Sequence, residues 1–211
     1  MSSLNSLKKG LSAIPTYPEE LGLDLSQPED RFRWLLASVL FSKRISAEIA
    51  KRTFQRFEAE GLLSPESLLS AGWDRLVEVL DAGGYVRYDF STASNLLSLA
   101  ESLKSKYGSL EELYSQAKDS QDLEKKLQEF KGIGPTTASI FLRELRGVWE
   151  MARPQVSPLA QQAATKLGLE ETLQEEPGLE PRLVKLHLEF CKRRRCSSCP
   201  VSEFCQPKVE R

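Results

Sequence analysis

No apolar run in the 211-residue chain approaches the ~18 residues that a membrane span requires. The opening stretch, MSSLNSLKKGLSAIP, lacks a long apolar core and a clear cleavage site, so no secretory signal is read there. A cytoplasmic protein without membrane partners is the expectation. Positive charge is not in excess either. The net charge of −1 and pI near 6.0 argue against a whole-surface nucleic-acid binder, while leaving room for a local basic face. Histidine occurs once and cysteine four times, with every cysteine in the last 21 residues. Disulfides are disfavoured in the cytosol, so this clustering points to a metal site before a redox framework. Strand signals are nearly absent, and there is neither an internal repeat nor a low-complexity linker.

What the chain does contain is helical periodicity along its length. Phe32, Leu35, Leu36, Val39 and Leu40 share a face within Asp30 to Phe41. Ala47 to Phe57 continues with Ile49, Ala50, Phe54 and Phe57. Ser64 followed by Pro65 reads as a cap and a first-turn proline. Leu76, Val77 and Leu80 mark a helix from Trp73, ended by Gly83-Gly84. Asp89 or Ser91 is expected to cap a long helix to Tyr107, with Gly108 just past its end. Ser109 and Glu112 suggest a capping box. Further helices are expected over Gln121 to Phe130, Pro135 to Leu145, from Pro158 to near Gly168, and from Pro181 to Cys191. Gly168 to Pro181 is expected to be a surface loop or a weak helix. The fold class is therefore all-α.

Two stretches carry chemistry. Phe130 to Ala138 reads FKGIGPTTA, a glycine turn between two helices whose apolar faces (Leu127 and Phe130; Ala138, Ile140, Phe141 and Leu145) can pack together. This is a helix–hairpin–helix arrangement. Gly132 and Gly134 can adopt positive φ and bring backbone close to a partner. Amides at the start of the second helix are unpaired and lie at its positive end, which suits a phosphate. Such a contact anchors a nucleic-acid backbone without reading bases. A plain interhelical turn is the competing reading. The candidate contact set is Gly132, Ile133, Gly134, Thr136 and Thr137.

The second stretch holds Cys191, Cys196, Cys199 and Cys205, separated by four, two and five residues. Four soft ligands in one short loop suit a 4Fe-4S cluster, with tetrahedral zinc as the alternative. Such a group would staple a region with little core of its own. Lys192, Arg193, Arg194 and Arg195 lie between the first two cysteines and would project from the knuckle towards phosphates. A solvated charge run is the competing reading.

The hairpin, followed about sixty residues later by four clustered cysteines, resembles the endonuclease III branch of the helix–hairpin–helix DNA glycosylases. The resemblance runs from about Asp30 to Cys205. Its first cysteine gap is two residues shorter than the family's. It implies a two-domain fold: a helical barrel over 28–142 carrying the hairpin, and a second domain of 1–27 with 143–211 carrying the cluster. It further implies a monomer, associated with the nucleoid, that binds damaged or distorted double-stranded DNA across a cleft. A base would be flipped out of the duplex.

The chain departs from the family at both catalytic positions. Thr136 stands where bifunctional members place a Schiff-base lysine, so lysine-type lyase chemistry is not supported. The family aspartate falls at Pro154 or Val156, and no Asp or Glu occurs from Met151 to Gly168. A carboxylate facing a cationic transition state is often the largest catalytic contribution, so its loss is serious. Asp89, Glu144 and Glu150 are the candidate replacements; a helix-surface role for Glu144 and a capping role for Asp89 are the plainer readings. In the loop Phe41-SKRISA, Lys43 and Arg44 are expected to face DNA, with Arg44 at the position of the family's gap-filling glutamine. In GGYVRYDF, Tyr85, Arg87 and Tyr88 either stack on a base or backbone, or divide into core tyrosines and a solvated arginine. Three functions stay open: an N-glycosylase with relocated chemistry, a recognition protein that binds DNA without excising a base, and a zinc-stapled helical module with no DNA role.

Overall fold

A computed structural model describes residues 2–205 of the chain. In chain order the helices are α1 (Ser2–Ser12), α2 (Tyr17–Glu20), α3 (Pro28–Phe41), α4 (Ala47–Ala59), α5 (Pro65–Gly83), α6 (Asp89–Lys106), α7 (Leu110–Ser115), α8 (Ser120–Gln128), α9 (Pro135–Glu144), α10 (Pro158–Leu167), α11 (Glu170–Glu175) and α12 (Glu180–Leu186). A π-turn, His187–Cys191, prolongs α12, and single 3-10 turns follow at Cys196–Ser198 and Ser202–Phe204. No strand occurs among the described residues. The fold is all-α, and it divides into two compact units, Leu21–Pro154 and Met1–Glu20 with Gln155–Arg211.

The Leu21–Pro154 unit is built around α3. Nearly every residue from Asp30 to Leu40 is buried, so this helix is apolar all round and takes neighbours on all sides. Trp34 is fully buried and its Nε1 donates to the carbonyl of Phe141 at 3.2 Å, which ties α3 to α9. The buried Arg31 is paired and hydrogen-bonded: it donates to the carbonyls of Leu25 and Ser26 and pairs with Glu111 at 2.6 Å. Gly83 lets α5 lie against α4, since a side chain there would strike the backbone of Thr53.

Serine caps start several helices: Ser46, Ser64, Ser109 and Ser157 each accept from an amide within the first turn, and Ser64 with Ser67 forms a reciprocal box. Gly84, Gly108 and Gly168 close helices with left-handed φ. Three expectations need correction. The helix expected from Trp73 begins at Pro65 and absorbs a non-helical Gly72 at φ 73°. Neither Asp89 nor Ser91 caps α6; Tyr88 occupies the cap without a side-chain bond. The boundaries expected at 27/28 and 142/143 are displaced. Residues 143–154 stay with the α3 unit because Trp149 is buried there, stacked on Tyr114 at 4.6 Å and edge-on to Phe141 at 5.7 Å.

The other unit packs α1 against α12. Leu7, Leu11 and Ile14 join Ala160, Ala163, Ala164, Leu183, Val184 and Val201 in its core. α1 and α2 were not anticipated from the sequence; the Gly168 to Pro181 stretch, expected as a surface loop or weak helix, contains the short α11 and a 3-10 turn. Gly10 is the key to α1. A Cβ there would sit 2.8 Å from Val201 Cγ1 and 3.2 Å from the Pro200 carbonyl oxygen. Gly10→Val therefore should overpack this contact, costing about 1–3 kcal/mol. The checks are a lower urea midpoint and faster reaction of Cys199 with a thiol reagent; wild-type values for both would show that α1 does not brace the cysteine loop.

Candidate nucleic-acid interface and metal centre

The hairpin lies between α8 and α9. Leu123, Leu127, Phe130 and Ile133 are buried on its inner side, and the turn is closed by the Ile133 amide donating to the Phe130 carbonyl at 3.0 Å. The two glycines do different work. Gly132 has φ 89°, and a Cβ there would lie 2.6–2.7 Å from the side chain of Asn95 on α6. Only glycine satisfies both the backbone and the close approach. Gly134, by contrast, is extended (φ −95°, ψ −177°) and its missing Cβ points into open space. It caps α9 with no side-chain hydrogen bond, and Pro135 fills the first helical position. The start of α9 is thus an uncapped positive end with free approach.

Among the expected contact residues, Thr136 is exposed. Ile133 and Thr137 are each 3% exposed, so their side chains belong to the core and only their backbone remains as a contact. The exposed Lys131 beside Gly132 was not anticipated, although a cation next to a glycine turn is legible in the sequence.

The same end of the unit gathers two further loops. Tyr85 is buried and its hydroxyl donates to the Leu40 carbonyl at 2.8 Å. Burial pushes that hydroxyl's pKa well above its ordinary range. Tyr85 is therefore a core anchor. It fastens the Gly84–Tyr88 loop to the last turn of α3, just before Lys43 and Arg44. Arg44 and Arg87 are exposed and Lys43 is half-buried; Arg87 lies 5.6 Å from the ring of Tyr88. The Gly132–Asn95 contact brings the hairpin to α6 about 9 Å, six residues at ~1.5 Å each, from the start of that helix. The hairpin thus packs on α6 near the end that the Gly84–Tyr88 loop opens. An apolar tip projects among them: Val86 and Phe90 are 62% and 61% exposed, and Phe90 packs on Trp73 with ring centroids 5.4 Å apart. Trp73 is held by its Nε1 donating to Ser94 Oγ at 3.0 Å.

The three candidate carboxylates have separate fates. Asp89 is on this end, half-exposed, and its Oδ1 accepts from the Phe90 amide at 2.8 Å. Glu144 is no surface residue: its side chain is 4% exposed, with Arg143 Nε at 3.6 Å. It sits at the far end of α9, about 12 Å along the helix from Thr136. Glu150 is 88% exposed in a loose pair with Arg153. A carboxylate the sequence did not single out, Glu180, is fully buried and accepts from the Ser157 amide at 2.8 Å. Sealed from solvent, it fixes the loop that opens α10.

In the other unit, Cys191 ends the π-turn, and Cys191 and Cys199 are half-buried against the core while Cys196 and Cys205 are exposed. None of the four is in a disulfide. Burial pushes the Cys191 thiol up, the Lys166 charge draws it down, and the other three cysteines raise it. Among the described residues no three His, Cys, Asp or Glu side chains converge on a metal position as they stand. What suits a metal is the donor type alone, four soft sulfurs between Cys191 and Cys205.

The cations between the first two cysteines are not equivalent. Arg193 pairs with Glu189 at 3.4 Å, and Glu189 also accepts from the Tyr17 hydroxyl at 3.3 Å. Arg194 has φ 54°, a left-handed conformation that closes the helix where glycine is the usual choice. All four cations, Lys192, Arg193, Arg194 and Arg195, are exposed.

No protein-family model matches the chain, and a search of the curated proteins finds no similar sequence.

The glycine pair gives a direct test. Gly132→Ala is expected to cost at least about 1–2 kcal/mol, from left-handed strain and the Asn95 contact. Gly134→Ala is expected to stay within about 0.5 kcal/mol of wild type. Denaturant melts of both variants check this; equal effects would show that the hairpin is not packed as described.

Proposed function

We propose that the chain binds damaged or distorted double-stranded DNA and releases a base from it, as an N-glycosylase without lysine-type lyase chemistry. The observation that carries this reading is the convergence at one end of the Leu21–Pro154 unit. An open, uncapped start of α9 offers amides to a phosphate. Arg44, Arg87, Lys43 and Lys131 supply cations around it. Val86 and Phe90 supply an apolar tip of the kind that unstacks or replaces a base. The two-domain glycosylase fold and a nucleoid-associated monomer accompany this reading.

Asp89 is the carboxylate best placed for the chemistry, since it stands at this end while Glu144 is buried at the far end of α9. Release of a base breaks the bond between its nitrogen and the sugar C1′. Water supplies the oxygen that C1′ gains, and the departing base takes up a proton. The carboxylate balances the positive charge that develops on the sugar. Thr136 has no amine to form a covalent adduct, so the strand stays intact.

Cys191, Cys196, Cys199 and Cys205 would hold a 4Fe-4S cluster, or zinc in its place, as a staple that fixes Lys192, Arg194 and Arg195 for phosphate contact. A second reading, DNA recognition without excision, is favoured by the absence of any Asp or Glu from Met151 to Gly168.

The test is single-turnover base release, with binding measured on the same duplexes carrying deaminated, oxidised or alkylated bases. Release from one lesion, reduced at least ~100-fold in Asp89→Asn with binding retained, is expected. Gly134→Val should weaken binding without unfolding. Tight binding with no release from any duplex would favour the recognition protein, and no binding would end both readings.

A further inference from the structure

Two aromatic rings stand on the surface of the Leu21–Pro154 unit, where the hydrophobic effect would hide them. Trp73 is 39% exposed and Phe90 61%, and their centroids lie 5.4 Å apart with the rings tilted by 37°. Local structure holds them there. The indole Nε1 of Trp73 donates to Ser94 Oγ at 3.0 Å, and Ser94 Oγ donates in turn to the Phe90 carbonyl at 2.9 Å. One hydroxyl thus joins both aromatic residues. Gly72, just before Trp73, interrupts α5 with φ 73° and ψ 177°. A Cβ there would meet nothing within 4 Å, so this glycine serves the backbone conformation and no close contact.

The position and the chemistry of the pair narrow its partner. Asn95, next to Ser94 on α6, is the residue that packs on Gly132. The aromatic pair and the hairpin are therefore fastened to consecutive residues of one helix, about 100° apart around it. The open surface of the two rings is about 200 Å², against about 800 Å² for each side of a standard protein interface. That area suits one planar group. Asp74 is exposed beside Trp73, and Asp89 is half-exposed beside Phe90. They repel a phosphate from the rings and leave a neutral, flat group welcome. Phosphates are drawn instead to the start of α9 and to the exposed Arg87, three residues before Phe90.

We propose that Phe90, backed by Trp73, is a stacking platform for one unpaired base, so that the DNA this chain selects carries an unpaired nucleotide beside its duplex. This rests on the DNA-binding reading above and names the kind of distortion recognised. Every base has a π-face, so the platform reads the unpaired state and not the sequence.

The chain has three tryptophans, and Trp34 and Trp149 are buried. Quenching of tryptophan emission by a stacked base therefore reports on Trp73. The test compares a short duplex carrying one bulged nucleotide with the matched duplex at the same salt concentration. The bulged duplex is expected to bind about 5- to 150-fold more tightly and to quench the emission. Phe90→Ala, at an exposed position, should bring the two affinities to within about twofold. Trp73→Phe, which keeps a ring behind Phe90, should retain most of the preference and lose the quench. Equal, salt-dependent affinities for the two duplexes without quenching would overturn the platform and leave the DNA-binding reading standing. Quenching that grows with protein concentration in the absence of DNA would give the patch to a second copy of the chain and overturn the platform as well. No binding to either duplex would overturn both readings.

Discussion

A side chain at position 132 has nowhere to go. The backbone there is left-handed and Asn95 occupies the space that a Cβ would need. That constraint fixes how closely the hairpin approaches α6, and the candidate interface follows from it. The hairpin is seated on α6, the helix that the Gly84–Tyr88 loop opens. Tyr85, buried and bonded to the Leu40 carbonyl, locks the second contact. Neither lock carries charge, so both can hold a positively charged surface in place without competing for its ligand. The openness at Gly134 completes the division of labour: one glycine shapes the turn, and the other leaves room above it.

The cysteine unit rests on a different device. Its loops have little core of their own, and Val201 between Cys199 and Cys205 is buried only because Gly10 lets α1 lie on it. The π-turn at His187–Cys191 sets the direction of the first cysteine. Glu189 restrains Arg193, so the cationic run presents Lys192, Arg194 and Arg195. Local geometry thus ties one of four exposed cations to a neighbouring carboxylate.

Much of this was legible in the sequence, for identifiable reasons. Helical periodicity, serine caps and C-terminal glycines are local signals, and they placed α3, α4 and α6 to α10 to within a few residues. The hairpin was legible because its glycines and proline have few other uses between helices. α1 was missed because SSLNSLKKGLS has weak propensity and is stabilised by tertiary packing through Leu7 and Leu11. The burial of Thr137 and Glu144 was missed because helix direction, not residue type, decides it. The unit boundary was displaced by Trp149, whose stacking on Tyr114 joins residues distant in sequence. Glu180 was invisible because its partner, the Ser157 amide, is brought by another element.

The central claim is that the chain grips duplex DNA through its phosphates. The most direct measurement is the affinity for one short duplex across a series of salt concentrations. The account predicts a linear fall of log affinity with log salt, with a slope of about −0.9 for each phosphate contacted and a magnitude of several. A slope near zero, or no binding at low salt, would contradict it.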